Sequence, residues 1–160
     1  KENNGGMKMD YEVVTLAEKK VVGISTRTNN FAPDMGEKIG QLWQQFYDEN
    51  IYPKIPNKAN AKALGIYTEY EADEKADYTV MVACEVSETS DGFETRLIKA
   101  GKYAKFVVKA EQDQVFAEVA AAWHDIWQMV LPRSFDADFE EYQESLEKDA
   151  EVHIYIGLKA

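Results

Sequence analysis

At 160 residues, 45% of them apolar and 12% aromatic, the chain is long enough for one domain with a real core and too apolar to be disordered. A formal charge of −11, from 18 basic and 29 acidic residues, argues against direct nucleic-acid binding, which needs a basic stripe, and against an anionic membrane surface. The single cysteine, Cys84, and two histidines, His124 and His153, exclude an intrachain disulfide and a thiol-based metal cluster.

Lys1–Met9 is polar and glycine-bearing; it reads as a flexible leader and lacks the apolar stretch of a signal peptide. No run approaches the ~20 apolar residues of a membrane span. A cytoplasmic protein without metal or cofactor is expected. Tyr11–Thr28 alternates as a long strand, with a bend at Ala17–Lys20. After a turn at Asn29–Pro33, Asp34 and Glu37 have the spacing of a capping box. Met35, Ile39, Leu42, Trp43, Phe46 and Tyr47 then form one helical stripe, ended by Asn50, Pro53 and Pro56.

Ala63–Glu71 and Tyr78–Ser87 read as two strands around a hairpin at Ala72–Asp77. In the second, Cys84 alternates with Val80, Val82 and Val86, as a core thiol would. Phe93–Lys109 reads as another long strand after the Asp91–Gly92 turn. Asp113 is the expected N-cap of a second amphipathic helix. That helix carries Phe116, Val119, Ala120, Trp123, Ile126, Trp127 and Val130 and stops near Pro132. Phe135–Tyr142 is a short strand, Glu144–Glu151 a polar connection, and Val152–Leu158 a closing strand with His153, Tyr155 and Gly157 on one face.

The order is β-α-β-β, twice. Met35, Ile39, Trp43 and Phe46 each stand 84 residues before Val119, Trp123, Trp127 and Val130. This spacing points to a duplicated unit, with repeats at about 10–89 and 92–160 inside one α+β domain spanning 10–160. Neither half buries itself alone, so the two should share antiparallel sheet, with a groove at their pseudo-twofold seam.

Glu140 is the candidate functional group: it lies between Phe139 and Tyr142, and alternation places it with Tyr142, opposite in face to Phe139 and Glu141. If Phe139 packs on a helix, Glu140 and Tyr142 face the groove. From the residues alone, a solvated acid at a sheet edge is the competing reading. Tyr67 and Tyr103 are further groove candidates, each opposite in face to its strand's apolar row. Trp43, Trp123 and Trp127 stand at core spacing, although a helix end has room to show one ring to the groove. Glu85 is either a second acid or a solvated strand end. His124 points to solvent, and His153, on Tyr155's face, has no nucleophile beside it. No nucleophile elbow or phosphate loop occurs.

The duplicated βαββ order, the segment Ala100–Phe106 (AGKYAKF), the Trp-bearing second helix, Phe139-Glu140-x-Tyr142 and the closing His153–Ile156 together resemble the GyrI-like effector-binding domain. That module is attached to many AraC- and MerR-type regulators and is also found alone. The resemblance covers roughly Asp10–Lys159; with no helix-turn-helix domain in the sequence, the chain is similar to the stand-alone members. It implies two SH2-like halves around a central groove that binds amphipathic, often cationic, aromatic compounds. By motif, Glu140 is the buried glutamate and Tyr155 the tyrosine facing it; together with the groove candidates read from alternation and helical spacing, the candidate ligand-binding set is Glu140, Tyr142, Tyr155, Tyr67, Tyr103, Trp43, Trp123 and Trp127. Some members resemble hydrolases of cyclopropane-bearing DNA-alkylating compounds. In that case Glu140 would activate water while Tyr155 or Tyr142 donates to the oxyanion. Others protect gyrase, which implies a protein partner, gyrase or a regulator. Members often carry a proline in the last strand, where this chain has Gly157.

Overall fold

The structure, a computed structural model, describes residues 9–143 and 148–160. Lys1–Lys8 of the expected leader and residues 144–147 of the expected polar connection lie outside the described residues. The elements run β1 (Glu12–Leu16), β2 (Lys19–Thr28), α1 (Met35–Asp48), α2 (Ile51–Lys54), β3 (Ala63–Thr68), β4 (Tyr78–Val86), β5 (Glu94–Ile98), β6 (Gly101–Glu111), α3 (Val115–Trp127), β7 (Arg133–Tyr142) and β8 (Asp149–Leu158). All eight strands join one antiparallel sheet in the order β1-β6-β8-β7-β3-β4-β2-β5. Exchanging β1–β4 with β5–β8 returns the same order reversed. The α+β duplication is therefore visible in the topology, with its seam between β3 and β7.

Both long strands of the sequence reading are broken. Leu16 and Lys19 are three Cα steps apart, about 11 Å at most. Yet β1 and β2 are six strands apart in the sheet, roughly 29 Å if it were flat. The sheet must curl until its edges approach. The bend at Ala17 carries the chain from one edge strand to the other side, and Lys99–Ala100 does the same between β5 and β6. The curl encloses a first core of Val21, Leu64, Ile66, Met81, Ala83, Ile98, Tyr103, Phe139 and Tyr155, closed by Val14 and Leu16.

The convex face carries the helices. Leu42 and Phe46 of α1 pack on Val22, Val80, Val82 and Cys84 of β2 and β4. Val115, Val119, Ala122 and Ile126 of α3 pack on Phe106, Val108, Ile154 and Ile156 of β6 and β8. Each helix thus covers its own half, and the central strands β3 and β7 lie between them.

Three local expectations change. Asp34 precedes α1 but makes no side-chain cap bond, because its backbone (φ −100°, ψ 13°) departs from the extended geometry of a side-chain cap. Gln114, not Asp113, stands at the N-cap position of α3, and it makes no side-chain cap bond. A short helix, α2, follows Asn50, whose φ of 57° reverses the chain. Pro53 is tolerated there because a first turn needs no N–H from it.

Candidate ligand-binding cavity

Because the helices stand apart over the seam, a cavity of about 630 Å³ opens between α1 and α3, with β3 and β7 as its floor. That is the size of a small-molecule site. Ile39 and Trp43 form one wall, Phe116, Val119, Trp123 and Trp127 the other, and Tyr67, Glu140 and Tyr142 lie at the base. The rings brace one another. Trp43 meets Tyr142 edge-on at 5.0 Å and Tyr67 meets Trp123 at 5.3 Å, geometries that suit aromatic quadrupoles.

Glu140 is 3% exposed. Tyr142 Oη donates to its Oε1 at 2.7 Å, while Trp123 Nε1 and Tyr67 Oη donate to Oε2 at 2.6 and 3.0 Å. Among the described residues no basic side chain pairs with it. Burial pushes its carboxyl above the usual range, against the pull of the three donors. Burial and the adjacent carboxylate hold both tyrosines far above their ordinary pKa, so they remain protonated donors. Directly across the ladder stands Gly65. A Cβ there would lie 3.2 Å from Glu140 Oε1 and 3.1 Å from Trp43 Cζ2, so only hydrogen leaves the carboxylate and indole in place.

Two residues earlier on the same face, Asp138 is fully buried but differently served. It accepts from Arg133 Nη2 at 2.7 Å, Tyr70 Oη at 2.5 Å and the Gly157 N–H at 2.9 Å. A proline at 157 would lack that N–H. Any Cβ there would also come within 2.7 Å of the Ala137 carbonyl oxygen. Phe135, in the left-handed region at φ 56°, sits in the irregularity between Arg133 and Asp138 and lays its ring 4.3 Å from the guanidinium carbon.

The structure gathers Glu140, Tyr142, Tyr67, Trp43, Trp123 and Trp127 around one cavity. It does not bring Tyr155 or Tyr103 there, and both expectations are corrected. Tyr155 is the register partner of Phe139, and cross-strand partners share a face. Its ring therefore stacks on Phe139 at 4.8 Å inside the curl, while Ile154 is the neighbour of Glu140. Tyr103 joins the same core and donates to the Lys99 carbonyl at 2.6 Å. The conditional placing Phe139 against a helix fails likewise, since Phe139 lies on the face away from both helices. Glu141 and His153 share that side, 3.7 Å apart. Glu85 sits there too, paired with Lys19. His124 is exposed at the cavity rim.

Sequence reasoning missed Tyr70, Tyr78, Phe116 and Arg133 as lining residues. Tyr70 escaped because Glu69 turns the chain at φ 52° and breaks the strand's alternation. Arg133 lies behind the irregularity at Phe135. Among the described residues no helix is long and apolar enough to cross a membrane, and no group of three or more His, Cys, Asp or Glu forms a metal site.

A curled sheet of two halves, each with two strands before its main helix and two after it, with an aromatic cavity over their seam, defines a GyrI-like effector-binding domain, a small-molecule-binding class. The sequence profile of the integron-associated effector binding proteins, Cass2, matches residues 12–158, and the chain belongs to that family. It is similar to the integron cassette protein VCH_CASS2 from the mobile metagenome of Vibrio cholerae (28% identity, TM-score 0.74, 93% of this chain and 95% of that one). SAV2435, solved bound to tetraphenylphosphonium, shares the fold (22%, TM-score 0.70, 92% and 94%). So does a putative transcription regulation protein from Staphylococcus aureus MU50 (20%, TM-score 0.70, 93% and 99%). No curated protein matches the sequence.

Proposed function

We propose that this protein binds an amphipathic, cationic aromatic molecule in the cavity, with Glu140 as its counter-charge. One observation carries this reading: a buried carboxylate held by three neutral donors, with no basic side chain paired to it among the described residues, at the base of an aromatic cavity. Stripping water from that carboxylate is unfavourable, and an incoming lipophilic cation offsets the cost. Rings facing the cation add about 0.5–2 kcal/mol each. That the similarly folded SAV2435 holds tetraphenylphosphonium supports the same ligand class. The hydrolase alternative has less support: Tyr155 lies behind the sheet, and Tyr142 already donates to Glu140.

Titration calorimetry with tetraphenylphosphonium tests the proposal. Glu140→Gln keeps the size and loses the charge, and should weaken binding at least tenfold. Equal affinity for both proteins, or no binding to either, overturns it.

A further inference from the structure

Resting on that reading of the cavity, we propose that the site has a second, donor-bearing pole at Arg133. The preferred ligand is then a lipophilic cation that also carries a neutral hydrogen-bond acceptor, a carbonyl, ether or phosphoryl oxygen.

Arg133 lines the cavity beside Tyr70 and Glu74, and its guanidinium is only partly used. Nη2 donates to Asp138 at 2.7 Å. Nη1 stands 3.7 Å from Glu74 Oε1, too far for a hydrogen bond. Nε is buried without a hydrogen-bond partner among the described residues. A guanidinium has five N–H donors, and leaving such donors unmet inside a protein is costly. The Phe135 ring against its face holds the plane in place.

Charge counting selects the acceptor. Asp138 already balances Arg133, and Glu74, itself a lining residue, adds a further negative charge. An anionic ligand group would be in surplus there. A neutral oxygen accepts from Nη1 without changing the balance, and the loosely held Glu74 is free to yield its place. Spacing follows from β8: Asp138 lies opposite Ile156 and Glu140 opposite Ile154. The carboxylate that fixes Arg133 is thus two residues, roughly 7 Å, from the one that takes the cation.

Two matched probes test this: pentyltriphenylphosphonium and its 4-oxopentyl analogue, equal in chain length and charge. The wild-type protein should bind the ketone about tenfold more tightly, the size of one hydrogen bond to a charged donor. In the Arg133→Met/Asp138→Asn double variant, which removes the pair together, the ratio should fall to about one. Glu74→Ala, a change on the half-exposed partner, should widen it. Equal affinities in the wild type, a preference that persists without Arg133, or a ratio unmoved or narrowed by Glu74→Ala each overturn the proposal. If neither probe binds, or Glu140→Gln weakens neither, the cation site itself has failed instead.

Discussion

Asp138 and Glu140 stand two residues apart on the same face of β7, both buried, both with three hydrogen-bond donors, yet they are different objects. Asp138 has an arginine and a backbone N–H, so its charge is matched inside the protein. Glu140 has two phenols and an indole, all neutral. The contrast separates a carboxylate whose counter-charge is built into the fold, tying β7 to Tyr70 and to the β8 backbone, from one whose donors carry no charge; on the proposed reading, the second takes its counter-charge from the ligand.

The largest way to break the contrast is to strip Asp138 of its partner. Arg133→Ala should cost about 3–5 kcal/mol in urea unfolding, because it leaves a buried charge uncompensated. Tyr142→Phe is next, at about 1–3 kcal/mol, from losing one donor to a charged acceptor. Since that donor pulls the Glu140 pKa down, the variant should lose tetraphenylphosphonium binding at a higher pH than the wild type when titrated downward.

Glu140→Gln should barely change stability at low pH and should gain relative to wild type as pH rises. The sign follows from burial raising the carboxyl's pKa in the folded state. The stability this group provides is full below its unfolded pKa and is lost as pH rises through the folded one. Thermal unfolding across pH 4–9, without ligand, reads the difference; a variant that loses ground as pH rises would contradict it. The smallest effect on binding belongs to Glu141→Gln, buried on the other face beside Lys62 at 3.8 Å and His153 at 3.7 Å. Calorimetry should find its tetraphenylphosphonium affinity unchanged, because the sheet separates its side chain from the cavity.

The sequence made the two helices, the duplication and the relative faces of β7 legible, because apolar stripes and alternation are local. It did not reveal which face meets the helices. Alternation states only that Phe139 and Glu140 diverge; that Phe139 goes inside the curl depends on β1 and β5 closing the far side. Tyr155 and Tyr103 were misplaced for the same reason. The interruption at Ala17 was legible as a bend, but not that it carries the chain across to the other side of the sheet; the break at Lys99 was hidden because two residues out of a ladder barely disturb its period. Arg133 was hidden because Phe135 takes a left-handed conformation that no periodicity reports.

The pairing of Gly65 with Glu140 has a consequence for how such a site arose. Tyr67 follows Gly65 by two residues, just as Tyr142 follows Glu140, and the two phenols clasp the same carboxylate from opposite halves. In a homodimer of one ancestral half, whatever stood at this station would meet its own copy across the ladder: two carboxylates repelling each other, or two glycines and no charge at all. A single chain is free of that constraint: here one half carries the tyrosine with glycine at the station, and the other carries the tyrosine with the acid. A single negative charge near a twofold axis is something only a broken symmetry permits.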